Sequence, residues 1–412
     1  MTTPTRIAFL IDSPNVRAGY AIAGTPARTM ALARYCATTA EVTTVICDRG
    51  ADYGSTEDWL TDTLLVHPAD YYDPAVLATE LEHLMLDAVV VCDARTVLDV
   101  GRTLADELNA WLVYDIHDDE ATLAVGLGES HAVVADAYST QRQAITVADA
   151  VIACATRETE LARRHAETAT PIALVPNGAD PERTPWGPDA KTRRLVMIGN
   201  GYYRPNQLAV EHLAVMAGDL QRRVPGVVID IIGRFPSNVD YPGLRMLGAV
   251  ESIDQVLRGA SLALAPLSAG TGSKCKVLDY AAAALPTLGT TEAVAGLPNG
   301  HPGVEVLDDL SQWPQRIETL LDRPLTLTRL GSAGRAMIEQ QMAWPAIAAA
   351  FVDHVRSWNA LARTPKHQIA APSPARPRWV DEHTRQGVSL AAGSTVPGAG
   401  FWISLQRNGV RG

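Results

Sequence analysis

The chain has 412 residues, 47% of them apolar and 20% charged, with a net charge of −11. That length exceeds one ordinary core and suits two α/β domains. The negative balance repels nucleic acid and anionic membrane, so an anionic ligand must be held by local cations. No uninterrupted apolar run approaches the roughly 18–20 residues of a membrane span. The five apolar residues before Asp12 have neither the length nor the cleavage site of a secretory signal, and they read as a first strand. Cys36, Cys47, Cys92, Cys154 and Cys275 are scattered without paired spacing, which argues against a disulfide framework and a zinc site and fits a reducing cytoplasm.

In chain order, RIAFLID is followed by a helical stretch over residues 25–38 and a second apolar strand, EVTTVIC. DAVVVCD, AWLVYDIHD and AVIACA continue the series at residues 87–93, 110–118 and 150–155, with room for helices between them. Strands that are apolar throughout and alternate with helices imply a parallel sheet covered on both faces. Around residues 172–194 the periodicity gives way to Pro, Gly and Asn, which predicts an inter-domain linker. Beyond it LVMIG, VVIDIIG, LRMLGAV, LALAPL and LPTLGTT read as strands, with helices near residues 206–222, 252–258 and 273–284. A last helical stretch over 329–361 is expected to kink or break near Pro345. The tail from Arg363 onward is net +5 against −16 for the rest, and its Pro- and Gly-containing runs read as linker or weakly ordered chain. The expected domains are 1–180, 181–340, a closing helix over 341–362 and the tail 363–412.

The segment richest in chemistry is LALAPLSAGTGSKCKVLDYAAAALPTLGTT, a strand, a Gly-rich loop, an Ala-rich helix and another strand. Gly270 and Gly272 allow close backbone approach, and the loop leads into a helix whose free N–H groups and positive dipole end suit a diphosphate. Lys274 and Lys276 add positive charge there. Asp279, one turn on, offers a carboxylate able to accept two hydrogen bonds from a sugar diol. Taken alone, such a loop reads equally well as a tight turn with solvated lysines.

This segment resembles the donor-binding region of the GT-B glycosyltransferases of family four, a large and mostly retaining family. PLSAGTGSKCKVLDY matches the family's P-x-x-x-G-x-G-x-K/R-x-K-x-x-E pattern, with Asp279 where Glu is usual, and AAAALPTLGT and TEAVAGL match the strand and turn that follow. VPNGAD at 175–180 is similar to the inter-domain V-P-N-G-x-D. IGNGYYRPNQLAVEHL, PGVVIDIIGRFP, LGAVESIDQVLRGASLALAPL and MAWPAIAAAF extend the match over roughly residues 5–360. Two departures stand out. Thr271 occupies the position of the first Glu of the E-x7-E arrangement, so backbone N–H groups are expected to contact the sugar. The basic pair of R-x-x-x-x-K-G is missing, which leaves Arg204, Asn206 and Lys274 as the nearest substitutes.

The resemblance implies two Rossmann-like, doubly wound domains facing each other across a cleft. It implies donor contacts at Gly199, Arg204, Asn206, Arg234, Val250, Gly270, Thr271, Gly272, Ser273, Lys274 and Asp279, and a phosphate or acceptor loop with Gly19, Tyr20 and Gly24. His117, just past an apolar strand, takes a position where the family often has His or Asp beside the transferred sugar, and Asp115 or Asp118 could share that role. Arg157 and Glu158 are candidates to frame the acceptor, or else an ordinary solvated helix start.

The reading is a cytoplasmic glycosyltransferase moving a sugar from a UDP-, GDP- or TDP-sugar to a small-molecule, glycan or peptide acceptor, with retention. His117 and Lys274 are its expected catalytic residues. No metal is expected to be essential, and no nucleic acid or membrane span is expected. Ala-rich composition with Arg over Lys points to a high-GC bacterium, compatible with a natural-product or envelope acceptor. Two rivals remain: a nucleotide-sugar epimerase or hydrolase, which would turn over donor without acceptor, and a scaffold that binds nucleotide without chemistry.

Overall fold

The computed structural model describes residues 4–13, 16–17, 20–21, 24–50, 61–236, 240–250, 252–361 and 363. Gly19 and the tail apart from Arg363 lie outside them. The chain divides into two compact units. One draws on the described residues up to Ala121, on Ser130–Val175 and on the chain from Ile347 onward, and the other comprises Thr122–Glu129 and Pro176–Ala346.

Seven strands among the described residues form the sheet of the first unit: β1 (Arg6–Ile11), β2 (Glu41–Cys47), β3 (Asp62–Val66), β4 (Ala88–Val91), β5 (Trp111–Ile116), β6 (Ala150–Ala153) and β7 (Ile172–Leu174). Their order is β3-β2-β1-β4-β5-β6-β7 and every pairing is parallel. The apolar runs read from sequence are the central strands, because both faces are buried and disfavour polar residues; β4, β5 and β6 are buried throughout. The edge strands β3 and β7 are partly exposed, so their patterns were weak and sequence reading passed over them.

The second unit repeats the plan with β8 (Arg194–Ile198), β9 (Val228–Ile232), β10 (Arg245–Gly248), β11 (Leu262–Ala265), β12 (Thr287–Gly289) and β13 (Val304–Val306), again all parallel, in the order β10-β9-β8-β11-β12-β13. Asp230, buried at the centre of β9, is explained by structure alone: Arg194 Nε donates to it at 2.5 Å and Arg245 Nε at 2.6 Å, clamping three neighbouring strands.

In each sheet the chain winds outward from one strand, returns to its other side and winds the opposite way. The reversal falls between β1 and β4 in the first unit and between β8 and β11 in the second. Loops leaving the carboxyl ends of such a pair diverge, and the crevice they leave is where open α/β sheets bind ligands.

The final helical stretch is two helices, Pro324–Gln341 and Trp344–Asn359, parted at Met342 and Ala343. Ala343 leaves helical geometry to bridge Ala179, and Pro345 then sits in the first turn of the last helix, where its missing N–H costs nothing. From Ile347 onward that helix packs with the first unit, the Phe351 and Phe9 rings 6.3 Å apart and those of Trp358 and Trp111 6.2 Å apart. No described helix is long and apolar enough to cross a membrane.

Candidate functional site

In the second unit, β11 ends at Ala265 and the loop after it is bent by Gly270 at φ +139° and Gly272 at φ +65°, a region open at low cost only to glycine. Space is as tight as backbone. A Cβ on Gly270 would lie 3.3 Å from Lys274 Nζ and 3.5 Å from Glu292 Oε1. Lys274 folds back over the loop and donates to the Thr271 carbonyl at 2.8 Å, the Gly272 carbonyl at 3.1 Å and Glu292 Oε1 at 2.8 Å. Those contacts use all three donors of an ammonium group. Asn177 Nδ2 ties the loop to the VPNG segment through Ser273 Oγ at 2.7 Å, and Thr271 is 3% exposed.

Helix α1 (Cys275–Ala282) starts directly after this loop. Its N-cap is Lys274, whose side chain has no acceptor to cap the first turn; the Lys274 carbonyl accepts from Val277 N–H at 2.9 Å, and the positive end of the helix suits an anion.

Across the same crevice, β8 leads through Gly199 into the long helix Arg204–Arg223. Asn206, 8% exposed, donates to the Asn200 carbonyl at 2.9 Å and accepts from Lys276 Nζ at 2.5 Å. Gly199 is required by that contact, since a Cβ there would lie 2.9 Å from Asn206 Cγ. Gly233, at φ +133°, presses against Gly199 in turn, with a built Cβ only 1.8 Å from the Gly199 carbonyl oxygen. Burial, followed by the adjacent charge of Lys274, lowers the Lys276 ammonium to about 7.

Asp279 lies 3.3 Å from Arg183 Nη2, and Asp254 lies 3.5 Å from Arg183 Nη1. Burial raises the Asp279 carboxyl against the opposing pull of Arg183, with Asp254 adding to the rise.

The fold therefore brings together Gly199, Asn206, Gly270, Thr271, Gly272, Ser273, Lys274 and Lys276 at the switch point, with Asp279 on the next turn. Arg204 instead bonds Gln207 at 3.2 Å and Glu211 at 2.8 Å along its own helix. Arg234 is exposed and takes part through its carbonyl, which accepts from Gly201 N–H at 2.7 Å. Val250 packs against the apolar cluster of Val196, Ile232 and Tyr280.

In the first unit, Asp115 at the end of β5 is fully buried between two partners. Arg28 Nε and Nη2 donate to it at 3.0 Å and 2.9 Å, and His117 Nε2 lies 2.9 Å from Oδ2. Arg28 Nη2 also donates to the Val175 carbonyl at 2.7 Å. Burial alone would raise the Asp115 carboxyl, but the Arg28 charge and then His117 outweigh it and hold it at about 2. Among the described residues, His117 Nδ1 is buried with no hydrogen-bond partner.

Asp118 contributes its carbonyl, an acceptor for Gln141 Nε2 at 2.8 Å. Glu120 is pushed up to about 8 by burial, then by the charges of Asp93 and Asp118. A cavity of about 150 Å³ opens at the β1–β4 switch point, lined by Leu10, Asp12, Ser13, Cys92, Asp93 and Thr96. Asp12 is engaged there by Arg49 Nε at 2.7 Å and by the Tyr72 hydroxyl. Of the loop candidates, Tyr20 belongs to a short antiparallel pair with Arg17, and Gly24 begins the helix Gly24–Cys36. Arg157 Nε lies 3.3 Å from Glu158 Oε1, whose side chain is buried in its helix. All five cysteines are free thiols, and among the described residues no group of three or more His, Cys, Asp or Glu could hold a metal ion.

Sequence reasoning missed Arg28, Asn177, Arg183 and Glu292 as parts of these arrangements. Asn177 and Arg183 stand in VPNGADPER and Glu292 in TEAVAGL, both segments with motif character, whereas nothing local marks Arg28 on its Ala-rich helix.

Residues 192–323 match a family model described as Glycosyl transferases group 1. No curated protein matches the chain. Among solved structures it is similar to sucrose-phosphate synthase from Thermosynechococcus elongatus, with 15% identity and a TM-score of 0.66 over 87% of this chain and 100% of that one. It is also similar to HepE from Anabaena in complex with UDP and glucose, with 13% identity and a TM-score of 0.64 over 86% of this chain and 100% of that one. The lipopolysaccharide outer core galactosyltransferase WaaB, in its apo form, aligns at 13% identity with a TM-score of 0.57 over 86% of this chain and 100% of that one. The fold is GT-B, with two Rossmann-like, doubly wound parallel-sheet domains.

Proposed function

We propose that this protein is a glycosyltransferase that takes a sugar from a nucleoside diphosphate donor. The observation that carries the reading is the second unit's switch point. A glycine loop held shut by its own lysine, a helix start that its N-cap side chain cannot satisfy and the ammonium of Lys276 meet there, inside the segment that matches the family model. HepE, similar in fold, is seen with UDP and glucose, which supports a nucleotide sugar as donor.

In such a transfer the bond between the anomeric carbon and the phosphate oxygen breaks, the diphosphate leaves with its negative charge, and the acceptor hydroxyl oxygen forms the new bond as its proton passes to the leaving diphosphate. Stabilising the leaving diphosphate is the main electrostatic task, and fixed N–H groups and cations aimed at it do this without reorganising. The 270–273 amides, the start of α1 and the positive charge of the 274/276 lysine pair are the proposed agents, with Asp279 on the ribose. His117 is the proposed first-unit group beside the transferred sugar. Its Nε2 is held by Asp115, which leaves Nδ1 to meet a ligand. Retention is inferred from the family resemblance, and the local cations are proposed to replace a metal. Free thiols fit a reducing compartment such as the cytoplasm.

Calorimetry with UDP, GDP, TDP and ADP, without added metal, tests the reading. One diphosphate should bind at least about tenfold better than the rest, and its sugar conjugates should then be turned over only with an acceptor. Absence of binding across the panel overturns the proposal; turnover of donor without acceptor favours an epimerase or hydrolase.

A further inference from the structure

Two lysines, two residues apart, flank the start of α1, and the sequence does not distinguish them. Their surroundings do. Lys274 has spent every donor: two loop carbonyls and the carboxylate of Glu292 take its three N–H groups within 3.1 Å, and Glu292 cancels its charge. Lys276 has one contact, with the neutral amide oxygen of Asn206, and among the described residues no carboxylate pairs with it. An ammonium with two donors to spare, held partly out of water beside another cation, lacks its natural counterpart.

Resting on the donor reading above, we infer that Lys276, positioned by Asn206, is the cation that receives the donor's diphosphate, while Lys274 is the clasp that keeps the glycine loop in shape for it. The geometry explains why the loop carries both. Lys274 shapes the 270–273 backbone, and by doing so gives up the charge that a diphosphate needs. Lys276 projects from the first turn of α1, so the helix N–H groups and its own N–H donors converge on one anion.

A linked proton follows. The charged groups acting on Lys276 are Lys274 from the loop and the Cys275 thiol on its own helix, while the α-helix opposite presents the uncharged Asn206. The free ammonium titrates near neutrality, at about 7. A bound diphosphate raises it, so binding above that value takes up a proton. Affinity should therefore fall as pH rises from 7.5 to 9, above the range of about 6 in which a phosphate takes up its own last proton.

The test measures the binding of UDP, GDP, TDP, ADP and inorganic pyrophosphate to the full chain, wild type against Lys276→Met, Lys276→Arg and Lys274→Met, with a thermal melt of each variant as a folding check. Lys276→Met should weaken the best diphosphate by about tenfold or more, while binding of the matching nucleoside stays within about twofold. Lys276→Arg should restore part of the loss. The fall in affinity between pH 7.5 and 9 should vanish in Lys276→Met, whereas in Lys274→Met it should remain but move to higher pH, since the neighbouring charge that depresses Lys276 is gone, and the melting temperature should drop. Unchanged diphosphate affinity in folded Lys276→Met, or a larger diphosphate-specific loss in Lys274→Met, overturns the assignment and leaves the donor reading standing. Failure of the wild type to bind any of the five probes overturns both.

Discussion

His117 Nε2 lies 2.9 Å from Asp115 Oδ2, which leaves Nδ1 as the ring nitrogen for the proposed role beside the transferred sugar. A buried, ionised Asp115 can only accept, so the His117 Nε2–H is directed at it. Replacing His117 by Ala should cut turnover by about 10²–10³ while nucleotide affinity stays within about twofold, because the proposed nucleotide contacts all lie in the second unit. Single-turnover kinetics beside calorimetry separate the two; a parallel loss of nucleotide affinity would remove His117 from the assigned role.

Asp115→Asn should act on stability instead. It leaves the Arg28 guanidinium, 1% exposed, without its counter-charge, and breaking one partner of a buried pair costs about 3–5 kcal/mol. The wild-type carboxyl titrates at about 2 folded against an ordinary 3.8, so its stabilising contribution is present above pH 4 and is lost as pH falls toward 2. Urea titrations at pH 7 and pH 3 should show the variant's deficit shrinking at the lower pH.

Glu120 gives the opposite sign. Its folded value of about 8 stands above the ordinary 4.5, so the folded state favours the protonated acid and loses stability as pH rises through 8. Glu120→Gln keeps the neutral shape and should raise the melting temperature at pH 8.5 by about 2–4 °C, with no gain at pH 4.5. Equal shifts at both values would show that burial and the Asp93 charge do not govern it.

Gly270→Ala places a methyl group 3.3 Å from Lys274 Nζ at φ +139°, which a side chain rarely adopts. A cost of about 1–3 kcal/mol is expected, together with weaker diphosphate binding as the clasp shifts. Glu292→Gln should copy the binding defect by releasing Lys274 from its carboxylate, without backbone strain. If nucleotide affinity survives both changes, the loop geometry is not part of the donor site.

Asp279→Asn should raise the dissociation constant for nucleotide by about tenfold if the carboxylate reads a sugar diol. A matching 2′,3′-dideoxy nucleotide should show no difference between wild type and variant. A defect of equal size with both ligands would mean that Asp279 acts by holding Arg183, 3.3 Å away, and not by contacting ribose.

The sequence by itself determined the frame. Central parallel strands are buried on both faces, so IAFLI, AVVV, WLVY and LALA announce themselves as unbroken apolar runs, and Gly270 and Gly272 mark a loop that only glycine can trace. The edge strands at Asp62–Val66 and Val304–Val306 stayed hidden because half-exposed positions admit polar residues and blur the pattern. Only the tertiary structure decided which charges are spent and which are free. Arg28 meets Asp115 across 87 residues, Glu292 reaches back 18 residues to quench Lys274, and Asn206 comes from 70 residues away to hold Lys276. Local periodicity reports how much of a side chain is buried. The charge it faces is set by the winding of the sheet, which brings distant segments to one crevice.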